Sequence, residues 1–140
     1  MKTLVEKTQE LRETFSIVDT PELFFMTLFF YTPQANNFLP EWKTPENKIA
    51  GCQSEAWLRI AENNGTIEIC GFGTAKTTAA ILGIVEFLYS GVTMNEMKNE
   101  DFTIWQEIKL LEGLSFNRAN GLSDVIAKIK NFVNSYGPQN

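Results

Sequence analysis

Chemistry in this chain has few places to start, because it holds two cysteines and no histidine among 140 residues. The stretch "ENKIAGCQSEAW", Glu46 to Trp57, sets Cys52 between a glycine and a glutamine, ahead of what reads as a β-strand. A thiol that only packs usually sits inside an apolar periodic run, whereas Cys52 sits among loop-type residues. It is the first candidate for nucleophilic sulfur chemistry. On residue pattern alone two readings stand, a reactive thiolate and a buried inert thiol. Cys70, at an alternating position in "TIEICGFG", is most simply a packed thiol, with a resolving role as the alternative. Without histidine, a serine or cysteine hydrolase lacks its usual general base. A zinc site would need several carboxylates around two thiols, so no metal site is expected.

"CGFGTAKTT", Cys70 to Thr78, invites a phosphate-loop reading that its spacing refuses. A Walker loop ending at Lys76 and Thr77 needs glycine where Cys70 and Ala75 stand. A dinucleotide fingerprint from Gly71 lacks its third glycine at Lys76. Gly71 and Gly73 are expected instead to turn the chain sharply from strand to helix.

The elements that must position Cys52 are legible in outline. Leu4, Thr8, Leu11, Phe15 and Val18 recur at helical spacing, and Thr20 with Pro21 opens a second helix, apolar from Leu23 to Tyr31 and expected to be buried on most sides. Gln34 to Lys48 reads as a long loop leading to Cys52. Ala56, Leu58 and Ile60, then "ENNG", then Ile67 and Ile69 predict a β-hairpin. Ala79–Ser90 reads as a helix stopped by Gly91, and Thr93 with Glu96 as a capping box for a short one. Trp105, Ile108 and Leu111 fit another helix, and a last one starts near Ser115 and runs through Leu122, Val125, Ile129 and Val133. The expectation is an α+β fold: N-terminal helices, a small antiparallel sheet and C-terminal helices in a single compact domain spanning 1–140.

Composition narrows the partners. At 44% hydrophobic and 21% charged residues the chain has the makeup of a soluble globular protein. A net charge of −5 gives no footprint for nucleic acid or anionic lipid and favours a basic partner. The apolar run Leu23–Tyr31 is about half of a membrane crossing. Acidic residues scattered through "MKTLVEKTQELRE" break up the apolar stretch a secretion signal needs, so the expected location is the cytoplasm.

Read with its distant neighbours, the Cys52 segment resembles a known signature. "NKIAGCQSEAWL" is similar to N-x-V-x-G-C-x-S-x-V-W-L of the SufE family, sulfur acceptors of iron–sulfur cluster assembly. Asn47, Gly51, Cys52, Ser54, Trp57 and Leu58 match, and Ile49 and Ala56 replace valines. "LYSGVTMNEM" resembles L-Y-x-G-x-T-P-x-E-I with Met94 in place of the proline, and Trp105 follows Tyr89 at the family's distance. "LSFNRANGL" resembles L-S-P-S-R-S-N-G-L, with Leu114, Ser115, Arg118, Asn120, Gly121 and Leu122 matching. One block departs: the family's D-S-D-A reads Phe72, Gly73, Thr74 and Ala75, and its Lys-Gly pair reads Ala79 and Ala80.

The resemblance implies a SufE/IscU-like fold and a covalent persulfide on Cys52, taken from a pyridoxal-phosphate-dependent cysteine desulfurase and passed toward an iron–sulfur scaffold. The protein, as monomer or homodimer, would also stimulate the desulfurase. The carrier itself needs no cofactor. Gly51, Gln53 and Ser54 are candidates to offer backbone N–H groups to the sulfur anion, and Trp57, with the apolar second helix, to wall it from water. Arg118 is assigned to anion stabilisation or docking, beside the alternative of a solvated helix-start arginine. Trp57 also reads as plain core packing. Two further functions stay open: a non-catalytic SufE-like adaptor of a desulfurase, suggested by the lost acidic block, and a thiol redox protein using Cys52 and Cys70.

Overall fold

The computed structural model describes residues 2–51, 54–108 and 116–136, with residues 116–120 described by backbone only. Thr3 opens helix α1 (Leu4–Phe15) through a reciprocal capping box with Glu6. Val18, expected in that helix, lies beyond its end. Thr20 caps α2 (Pro21–Phe30) by accepting from the Leu23 N–H, with Pro21 at the first position.

A loop then carries two single 3-10 turns, Pro40–Trp42 and Pro45–Asn47. Strands β1 (Ala56–Asn63) and β2 (Thr66–Gly73) pair antiparallel from Ala56↔Gly73 to Asn63↔Thr66. Asn64 and Gly65, both at positive φ, make the two-residue turn that suits a right-twisted hairpin. Helix α3 (Lys76–Tyr89) follows, and Gly91 at φ +88° lets the chain leave it. Short α4 (Met94–Lys98) has the expected Thr93–Glu96 capping box. Helices α5 (Ile104–Glu107) and α6 (Phe116–Tyr136) complete the described chain. Leu111 lies outside the described residues.

Ala56, Leu58, Ile60, Ile67 and Ile69 share one face of the hairpin through the alternation of the pleat, and α3 packs across that face. Two glycines bring it close. A Cβ on Gly71 would stand 2.9 Å from Leu82 Cβ, and one on Gly73 would stand 2.9 Å from Thr78 Cγ2. Both glycines lie inside β2 and neither has a positive φ. Their use is therefore close approach of sheet and helix, not the sharp turn expected from sequence.

The all-round burial expected of α2 belongs to α3, which starts three residues earlier than its periodicity suggested and hides ten of its residues. Helix α2 buries Phe24 and Leu28, while Met26 and Phe30 are 68% and 82% exposed. An apolar stripe wrapped around a helix does not say which side is covered. The core runs without a break from Leu11 and Leu28 through Leu58, Ile67, Leu82 and Ile84 to Trp105 and Leu122.

The outer edge of β2 is closed by the chain that follows it. Ile67 N–H donates to the Val92 carbonyl at 2.8 Å, Ile69 N–H to Ser90 Oγ at 3.1 Å, and Gly71 N–H to Glu86 Oε2 at 2.9 Å.

Candidate functional site

Cys52 and Gln53 fall outside the described residues, so the site is defined by what flanks them. Upstream, Lys48 bridges to Trp57, and Ile49 N–H donates to the Ala56 carbonyl at 2.9 Å. That pairing makes Ala50 to Glu55 a six-residue excursion ahead of β1. Its stems are held by two helices and by the turn between β2 and α3. On the entering side, Ala50 N–H donates to Asp124 Oδ2 on α6 at 2.8 Å. On the leaving side, Ser54 Oγ and Thr78 Oγ1 on α3 share a hydrogen bond of 3.3 Å. Glu55 O accepts from Thr74 twice, from its N–H at 3.0 Å and its hydroxyl at 3.3 Å. Gly51 sits between the stems and position 52 at φ +83°, a left-handed conformation that a residue with a Cβ adopts at a cost.

Beneath the entering stem lies a narrow recess lined by Ile49, Thr78, Ile81, Leu82, Leu122 and Val125. It has about 10 Å³ of room, the lower limit for one water, and apolar walls that give a water too few partners. Among the described residues α3 and α6, together with Ile49, form those walls; α2, expected to shelter the thiol, contributes none of them.

Trp57 is 9% exposed, on the sheet face opposite α3. Its ring lies 6.1 Å from Phe72, which faces Phe38 at 6.0 Å. Lys43 Nζ stands 4.3 Å from the Phe72 ring centre and 5.1 Å from that of Trp57, and the Arg59 guanidinium stands 4.3 Å from Trp42. Asn47, first residue of the matched block, donates its side-chain amide to the Trp42 carbonyl at 2.7 Å. The loop ahead of Cys52 is thus clamped on the outer sheet face by cations over aromatic rings.

Gly51 and Ser54 thus flank positions 52 and 53, while Trp57 lies with Phe72 and Lys43 on the outer sheet face. Arg118 lies in the first turn of α6, and its side chain is outside the described residues. Sequence reasoning missed Asp124, Thr74 and Lys43. Asp124 reads as one more polar residue on an amphipathic helix, and only its contact 74 positions upstream sets it apart. Thr74 stands where the family's block has an acid, and it is joined to the leaving stem by both of its donors.

Cys70 is a free, half-buried thiol on the outer sheet face, opposite Arg59 in the register. Burial first, and the Glu86 carboxylate second, push its pKa up against a smaller pull from Arg59. A raised thiol pKa disfavours the thiolate that sulfur exchange needs. Among the described residues no group of three or more Cys, Asp or Glu is arranged to hold a metal ion, and no helix is long and apolar enough to cross a membrane.

Comparison with known proteins agrees with this architecture. The chain is similar in fold to the solution structure of a hypothetical protein from Thermus thermophilus, with a TM-score of 0.73 over 92% of this chain and 94% of that one at 15% identity. A family model described as SufE, the Fe-S metabolism associated domain, matches residues 9–133. With the mixed helix-and-hairpin fold in place, that match across most of its length shows that the chain belongs to the SufE family of iron–sulfur metabolism.

Proposed function

We propose that the protein accepts sulfur on Cys52 from a pyridoxal-phosphate-dependent cysteine desulfurase and hands it on toward an iron–sulfur scaffold. The Cys52 thiolate attacks the outer sulfur of the desulfurase persulfide. A new S–S bond forms on Cys52, the old one breaks, and the desulfurase cysteine leaves as a thiolate, so no external oxidant or reductant is needed.

The observation that carries this reading is the setting of the residues that flank Cys52 and Gln53. Gly51 is left-handed, Ser54 is bonded to α3, and Ile49 lines an apolar recess, all within the span the family model matches. A short excursion tied at both stems supports a thiol that must meet a partner and return to the same place. The contrasting setting of Cys70, half-buried with a raised pKa, fits packing rather than transfer.

Intact-mass analysis after incubation with a desulfurase and cysteine tests the assignment. One or more added sulfur atoms, removed by reductant, are expected on wild type and on Cys70→Ser, and none on Cys52→Ser. Sulfur kept by Cys52→Ser and lost by Cys70→Ser would overturn the site. Stimulation of the desulfurase without added mass would favour the adaptor, and a Cys52–Cys70 disulfide the redox protein.

A further inference from the structure

The family motif ends the matched third block at Leu122, yet the described side chain that reaches the Cys52 segment from α6 is Asp124. Its Oδ2 accepts the Ala50 N–H at 2.8 Å, two positions ahead of the thiol. Lys128, one turn later, stands 3.6 Å from the same oxygen, and the side chains of both are 27% exposed. The carboxylate is therefore steadied from its own helix while it holds a neighbouring segment.

The surroundings make this contact more than a surface accident. Ile49, next to Ala50, is 4% exposed and packs in the recess against Leu122 and Val125, which flank Asp124 on α6. Ile49 is also tied to Ala56 through its N–H. From Lys48 to Ala50, three successive residues are thus fixed, by a bridge to Trp57, by burial and a backbone bond, and by Asp124. At Gly51 the backbone turns left-handed. Asp124 thus holds the backbone two residues ahead of Cys52, so the stem that enters the Cys52 segment is referred to α6. Ser54 refers the other stem to α3.

We propose that Asp124 is a positioning residue for sulfur transfer, fixing the backbone ahead of Cys52 so that the thiol is presented in one orientation to a desulfurase persulfide. This rests on the sulfur-acceptor reading, and it adds a device carried by a side chain outside the matched motif blocks. A neutral acceptor of the same shape keeps most of the effect, because the contact is a hydrogen bond to a backbone N–H and the amide oxygen of asparagine supplies one.

Three measurements on Asp124→Ala, Asp124→Asn and wild type decide it. Hydrogen exchange at the Ala50 amide is expected to quicken about five- to tenfold in Asp124→Ala and to return to within about twofold of wild type in Asp124→Asn, as loss and rescue of one hydrogen bond imply. Alkylation of Cys52 by iodoacetamide, followed on the Cys52 peptide, is expected to rise severalfold in Asp124→Ala, since a small reagent gains from a loosened segment. Loading of Cys52 with sulfur by a desulfurase and cysteine is expected to fall severalfold, since a macromolecular donor needs the oriented thiol. Opposite signs for the small reagent and the enzyme, both reversed by Asp124→Asn, separate positioning from general unfolding, which would also quicken exchange at core amides such as that of Leu88 and lower the melting temperature. Unchanged Ala50 exchange in Asp124→Ala overturns the proposal, and so does a loss that Asp124→Asn fails to rescue. If wild type itself takes up no sulfur, the acceptor reading fails, while Ala50 exchange and Cys52 alkylation still decide whether Asp124 fixes the segment.

Discussion

The carbonyl oxygen of Tyr31, at the end of α2, occupies the place where a side chain on Gly83 in α3 would begin. The Tyr31 carbonyl carbon and Pro33 Cδ also lie within 3.0 Å of that point. Gly83→Ala would raise intrinsic helix stability by about 1 kcal/mol. The clash is with backbone that cannot rotate away, and overpacking of this kind costs about 1–3 kcal/mol or more. The expected outcome is net destabilisation, with a lower urea midpoint and an unchanged slope. A midpoint equal to or above wild type would show that α2 can shift freely on α3.

Tyr89 carries a second buried relationship, in which its hydroxyl donates to Glu100 at 2.6 Å and accepts from Trp105 Nε1 at 3.1 Å. Both aromatic residues are fully buried. Tyr89→Phe leaves the buried Trp105 Nε1–H without its acceptor and takes one donor from Glu100, at a cost of about 1–3 kcal/mol. Equilibrium urea unfolding should show this loss, with near-native circular dichroism. A change within error would mean that water replaces the hydroxyl.

Burial holds the Glu86 carboxyl above its ordinary pKa, opposed in part by the Gly71 N–H. A carboxyl raised on folding binds its proton more tightly in the folded chain. Its stabilising contribution is fully present below the ordinary carboxyl range and is lost as pH rises through the folded value. Glu86→Gln removes that loss while its amide oxygen remains an acceptor for Gly71. Relative to wild type, its melting temperature should therefore be more favourable at pH 7 than at pH 4. The same difference at both values would remove Glu86 from the pH dependence of stability.

Arg118 starts α6, the helix from which Asp124 reaches the Cys52 segment. A guanidinium a few ångströms from a thiolate favours the anion by on the order of a kcal/mol. Arg118→Ala is expected to raise the Cys52 thiol pKa, slow its alkylation at neutral pH and weaken stimulation of a desulfurase, with the fold retained. Alkylation–pH and stimulation curves that overlay wild type would leave Arg118 a helix-start residue.

Local signals carried the hairpin, the capping box at Thr93 and the cap at Thr20, because each depends on neighbours within a few residues. Relationships across the fold were not legible in the same way. Nothing local distinguishes the covered side of α2 from the side that exposes Met26 and Phe30. Gly71 and Gly73 look like turn residues until α3 is laid on them, and their reason then becomes Leu82 and Thr78. Asp124 is invisible for the same cause, since its partner is a backbone N–H that any residue except proline would offer.

The outer edge of β2 has a consequence for assembly. A bare strand edge is a template on which a foreign strand can register, and a two-stranded sheet has little else to guard it. Here the outward N–H groups of Ile67, Ile69 and Gly71 are consumed by Val92, Ser90 and Glu86. An approaching chain finds no row of donors there and would have to displace three internal acceptors to gain a ladder. Strand addition along Ile67–Gly71 is thereby disfavoured, both as a route to aggregation and as a mode of recognition.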